Sequence, residues 1–181
     1  LSNKNWVMKN GRQSFFDLLL DVCQTDPFWP EYLKRHVCTA HPKAAVHVAI
    51  FQEPFLQWVI DGKKTVESRF SRNEVAPYGA IEDGDIVLLK AVAGPVVAIS
   101  RIASNWSYRL SPRTLHTIRS RFGALIGEVD ESFWDARKGA RFATLMSLDN
   151  VLPIQAIPYA KSDRRGWVVE KRRFAQFELD L

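Results

Sequence analysis

The hydrophobic positions change period several times along the chain, and those changes divide it into elements. Phe15, Phe16, Leu18, Leu19, Leu20, Val22 and Cys23 are apolar around most of a helical circumference, with Ser14 placed to cap them. A helix of that composition has to pack against something. Thr25-Asp26-Pro27 ends it, and Pro30 opens a second helix over about 31–37. Residues 45–51 read as a buried first strand, and Glu53-Pro54 starts a short helix reaching Ile60. After a charged strand at 63–69 and a loop at 73–79, the turn Glu82-Asp83-Gly84-Asp85 feeds an apolar strand at 86–89. Ala93-Gly94-Pro95 turns the chain back, and 96–102 pairs as a hairpin. Ser111-Pro112 starts a helix with Leu115, Ile118 and Phe122 inward. A short acidic helix around Phe133 and Trp134, with a structural role, a strand at 142–152 closed by Pro153, and a final strand at 174–179 complete the series. Short strands joined by glycine-containing turns indicate a small β-barrel in an α+β protein. Residues 1–43 form a helical N-terminal extension laid on a main domain at 44–181.

The stretch Gly62-Lys63-Lys64-Thr65-Val66-Glu67-Ser68-Arg69 stands out. On a regular strand Lys63, Thr65, Glu67 and Arg69 share one face, and Lys64, Val66, Ser68 and Phe70 share the other. Unpaired buried charges are costly, so the charged side lines either solvent or a polar pocket. An edge strand carrying internal ion pairs satisfies the same pattern.

Composition narrows the class. At 181 residues, 46% hydrophobic and 25% charged, the chain is long enough for a real core, and its composition is that of an ordinary soluble domain. No apolar run reaches the length of a membrane span, so no membrane partner is expected. The first residues carry no apolar signal segment and no initiator Met, which suits a processed chain or a fragment. Two cysteines are too few for a disulfide framework; reduced thiols and a cytoplasmic location follow as expectations. Cys23, His36, Cys38 and His41 are soft ligands close in sequence, but their order matches no common zinc finger, and no metal or other cofactor is assigned.

The net charge of +5 favours an anionic partner, and 12% aromatic residues supply stacking surfaces. Two regions concentrate the charge. Residues 101–121 hold five arginines and no acid, interleaved with Trp106 and Tyr108, and suit a phosphate-contacting surface beside an aromatic platform. Residues 161–173 hold six basic residues against two acidic ones, with Lys161, Arg164 and Arg165 in a loop running into Trp167.

Gly62, Lys64, Glu67 and Arg69 fit a G-x-K-x-x-E-x-R signature. With the Glu82–Asp85 turn, the following hairpin and a late strand, the chain resembles the ASCH domain, a branch of the PUA-like superfamily, over roughly residues 45–180. The resemblance implies a mixed β-barrel with peripheral helices and a cleft into which the signature Lys, Glu and Arg project. It also implies a ligand that is RNA or a modified nucleoside. For both Lys64 and Glu67 to reach that cleft, Lys64 has to precede the regular strand or lie at a bulge.

Two functions follow. In the first, the domain binds single-stranded RNA or a nucleotide-like ligand: Arg69, Arg109, Lys161, Arg164 and Arg165 hold phosphates, Trp106, Tyr108 or Trp167 stacks a base, and Glu67 accepts from an exocyclic amine. In the second, it is a hydrolase, either a ribonuclease or an amidohydrolase acting on an N4-acylated cytidine, with Lys64 and Glu67 catalytic. The amidohydrolase logic uses a threonine nucleophile three residues after the lysine, and here Glu67 stands at that place. A third option is an interaction domain in which the charged strand is only structural.

Overall fold

A computed structural model describes residues 14–127, 130–160 and 165–174. Five helices surround one curled, six-stranded half-barrel sheet: α1 Phe15–Val22, α2 Trp29–His36, β1 Val46–Phe51, α3 Phe55–Ile60, β2 Val66–Ser71, β3 Ile86–Ala91, β4 Val96–Arg109, α4 Pro112–Ile126, α5 Glu131–Asp135, β5 Phe142–Ile157 and β6 Trp167–Lys171. The strand order is β2-β5-β4-β3-β1-β6. β1 and β3 run parallel and the other pairs are antiparallel, so the sheet is mixed, as expected.

Two strands are much longer than the sequence pattern suggests. β4 does not stop at Ile102 but continues to Arg109, and β5 runs past Pro153 to Ile157. Both extensions depend on bulges. The β4–β5 register slips between Ile99 and Arg101, between Ile102 and Ser104, and next to the Ala98–Pro153 pair, where a residue lacking N–H is tolerated. The last strand is β6 at Trp167–Lys171; of the strand expected at 174–179, only Phe174 falls within the described residues, and it is not in a strand.

The helical extension is built into the core. Ser14 and Asp17 form a capping box at the start of α1. Phe15, Leu19, Trp29 and Leu33 bury themselves against Val46, Val48, Ile86, Leu88 and Ile99 of the sheet. Polar contacts fix the docking: Trp29 Nε1 donates to the Asn150 carbonyl at 2.9 Å, and Tyr32 Oη to the Gly84 carbonyl at 2.6 Å. On the other side of the molecule α4 lays Ile118, Phe122 and Ile126 on Val66, Ala143 and Leu145 of β2 and β5. A third cluster, including Ala49, Val87, Ala98, Ile102 and Met146, fills the inside of the curl.

Candidate functional site: a buried charge network under a basic groove

The signature is a single piece of geometry. Gly62 takes φ +72°, a left-handed conformation that L side chains rarely adopt, and it turns the chain out of α3. Lys64 then lies before β2, whose first residue is Val66. That irregular start resolves the alternation problem. Lys64 and Glu67 meet, with Nζ 3.3 Å from Oε2, and the two side chains are only 3% and 6% exposed.

The charged groups in this network are paired with one another and with backbone carbonyls. Lys64 Nζ donates to the Val66 carbonyl and to the Ile126 carbonyl at the end of α4, both at 2.9 Å. Glu67 adds an ion pair on the same ammonium. Burial pushes the Lys64 pKa down, and the Glu67 carboxylate opposes that shift. On the other side Arg69 Nε approaches Glu67 Oε1 to 2.7 Å, an ion pair without hydrogen-bond alignment. The guanidinium also donates to the Gly166 carbonyl at 3.2 Å and the Ile50 carbonyl at 3.0 Å. It lies over the rings of Phe51 and Trp167, at 5.2 Å and 5.4 Å from their centres. Arg69 therefore reaches from β2, at one end of the strand order, to β1 and the residue entering β6 at the other.

Above this network opens a groove of about 1270 Å³. Six cationic residues (Lys64, Arg69, Arg72, Lys90, Arg137, Arg165) and two acids (Glu67, Asp135) are among the described residues that line it. Phe55, Phe70 and Phe133 supply aromatic surface, and the Arg137 guanidinium lies 3.2 Å from the centre of the Phe133 ring. Lys90 is held by the carbonyls of Ala91 and Gly94. Arg72 is exposed and has no ion pair among the described residues.

The other residues singled out in the sequence are distributed differently. Trp106 pairs with Leu145 and Tyr108 with Ala143, a register that sends both to the opposite face of the sheet from Glu67, under α4. The Trp106 ring sits 5.0 Å from Phe122, and these half-buried aromatics pack against the core and do not line the groove. Arg109 pairs with Glu74 at 2.8 Å, outside the groove. The arginine run also finds its acids elsewhere in the chain: Arg101 pairs with Asp149, and Arg119 with Glu131. Trp167 is 3% exposed and stacks on Arg69, beneath the groove wall. Arg165 lines the groove; Lys161 and Arg164 lie outside the described residues. Cys23 is buried in the core and Cys38 is exposed, and no group of three potential metal ligands gathers among the described residues.

Sequence reasoning missed Arg72, Lys90, Arg137, Phe133 and Tyr159 as groove residues. They come from the residue after β2, from β3, from α5 and its following turn, and from the segment before β6, and only the fold brings them together. Lys90 left a weak trace, a lysine ending an otherwise apolar strand. The acidic helix, expected to have a structural role, supplies Phe133 and Asp135 to the groove.

No protein-family model and no curated protein matches the chain. Solved structures do match it. The ASCH protein of Zymomonas mobilis superposes with a TM-score of 0.55 at 17% identity, covering 69% of this chain and 87% of that one. A serine-to-alanine mutant of the same protein gives 0.55 at 18% identity, covering 71% and 89%. A tyrosine-to-phenylalanine mutant gives 0.53 at 18% identity, covering 69% and 89%. With its mixed half-barrel, its peripheral helices and this superposition, the chain has the ASCH fold.

Proposed function

We propose that the groove binds a short single-stranded stretch of RNA, with phosphates along the basic rim and one base facing Glu67. The observation that carries this reading is the combination of a strongly basic groove with a buried, twice-paired carboxylate at its floor. Two of the roughly four acceptor sites of that carboxylate are taken by Lys64 and Arg69. The remaining ones suit a donor edge such as an exocyclic amine. Arg72 and Arg165, with Lys161 and Arg164 in the same basic segment, are the phosphate ligands in this reading. Phe55 and the Arg137 guanidinium stacked on Phe133 offer flat surfaces for base stacking. The volume exceeds the few hundred to about 1,000 Å³ typical of a site for one small molecule, which favours a strand over a free nucleoside.

The amidohydrolase reading is weaker on chemical grounds. An activating lysine needs a free lone pair directed at its nucleophile, and Lys64 Nζ donates to two backbone carbonyls and is ion-paired with Glu67. Thr65 is exposed and is not among the residues lining the groove. One experiment separates the classes: incubation with a mixed-sequence RNA 8-mer and, separately, with N4-acetylcytidine, followed by mass spectrometry and a binding titration. The expected result is RNA bound and recovered intact, with acetylcytidine unchanged. Turnover of either substrate that Lys64→Ala abolishes would replace the binding reading with an enzymatic one.

A further inference from the structure

A second buried polar chain lies behind the groove. His47 of β1 is fully buried, and Asp85, at the entrance to β3, is 1% exposed. Asp85 accepts from the backbone N–H of Ala45 at 2.7 Å and of Glu82 at 2.8 Å, and it pairs with Arg173, whose other nitrogen reaches Glu82. His47 Nε2 stands 3.2 Å from Asp85 Oδ2. On the far side of the imidazole, Trp167 Nε1–H donates to His47 Nδ1 at 3.2 Å. That bond fixes the tautomer. Nδ1 accepts and so carries no proton, and Nε2 carries the ring proton and donates it to the carboxylate.

The same Trp167 ring supports the Arg69 guanidinium, whose remaining contacts are Glu67, two carbonyls and Phe51. We propose that the Asp85–His47–Trp167 chain is a positioning device for the groove: it sets the plane of the indole on which Arg69 lies, and through Arg69 the aim of the Glu67 carboxylate. Neither His47 nor Asp85 is among the described residues that line the groove. Their effect on a ligand passes entirely through Trp167 and Arg69. The importance of that effect for binding rests on the RNA-binding reading above; the mechanical link itself does not.

The test uses two substitutions at one position. His47→Gln keeps an acceptor toward Trp167 and a donor toward Asp85, whereas His47→Leu removes both. Without any ligand, NMR of the folded protein reports the exchange rates of the Trp167 indole N–H and the Arg69 Nη–H groups that donate to Gly166 and Ile50. Both signals are expected to stay protected in the wild type and His47→Gln, and both to exchange about tenfold faster or more in His47→Leu, the scale of one lost net hydrogen bond. Trp167→Phe, which keeps a ring but not the N–H, serves if His47→Leu does not fold, and it is expected to loosen Arg69 in the same way. Arg69 exchange unchanged in a folded His47→Leu or Trp167→Phe protein overturns the proposal. RNA titration then separates the two claims. If the wild type binds, His47→Leu is expected to bind about tenfold more weakly and His47→Gln to be restored. If the wild type does not bind while the NMR pattern holds, the functional reading fails and the positioning chain stands.

Discussion

Lys64 and Glu67 are each nearly inaccessible to water, and a buried charge without a partner costs several kcal/mol. The network avoids that cost by giving one carboxylate two cations and giving Lys64 two carbonyls as well. Removing one member leaves the others stranded. Lys64→Met, similar in volume, is expected to destabilise the protein by about 3 kcal/mol, read as a lower midpoint in urea unfolding, because Glu67 keeps only Arg69 and two carbonyls lose their donor. A loss below about 1 kcal/mol would mean that the ion pair is solvated. At this scale the sequence was informative. Gly62, Lys64, Glu67 and Arg69 are picked out by the resemblance to the G-x-K-x-x-E-x-R signature; strand alternation alone puts Lys64 on the face opposite Glu67, because the lysine precedes the regular strand. Arg72, Lys90 and Arg137 are not, because nothing in their own neighbourhoods points toward the groove. The pairing of Arg101 with Asp149 was equally hidden, since its partner comes from the neighbouring strand. A count of local charge took as free what the sheet neutralises.

At the scale of elements, the course of the chain was legible where period and caps agree. α1 starts at its capping box, and α4 starts at Ser111-Pro112 and ends at Gly127, where φ is +78° and a Cβ would come 3.1 Å from Trp58. Trp106 and Tyr108 lie away from the groove because of the length of β4. With the strand extended to Arg109, period-two alternation and the bulges assign both rings to the face under α4. The packing of α1 can be tested through Cys23, buried in the cluster that joins α1 to the sheet. Burial, reinforced by Asp26, pushes its thiol up from 9.0 to about 12. In iodoacetamide at pH 8.5 the native protein is expected to take one label, on exposed Cys38, and a second only after denaturation, counted by mass spectrometry. Rapid double labelling would show that α1 is not docked. The sign of the linked pH effect follows. Unfolded, the Cys23 thiol ionises near 9, while folded it keeps its proton to about 12. Its contribution to stability is therefore fully present below pH 9 and is lost as pH rises through that window.

For the whole molecule, the ASCH fold explains why a half-barrel with one charged edge strand has a groove at all. β2 ends the strand order on one side and β6 on the other, and Arg69 spans from the first to the entrance of the second, so the residue that closes the barrel also lies under the site. No helix among the described residues is long and apolar enough to cross a membrane. The fold alone leaves the ligand open, because one architecture hosts several activities; the RNA-binding proposal rests on the charge and geometry of the groove. The most direct measurement is the salt dependence of binding to a mixed-sequence RNA 8-mer, compared with Arg72→Ala. Three or four phosphates held on the rim correspond to a slope of log K against log salt of about −2 to −3, and losing the Arg72 contact is expected to make that slope shallower by about 0.7. Absence of binding at low salt, or an affinity that does not change with salt in either protein, would contradict the account.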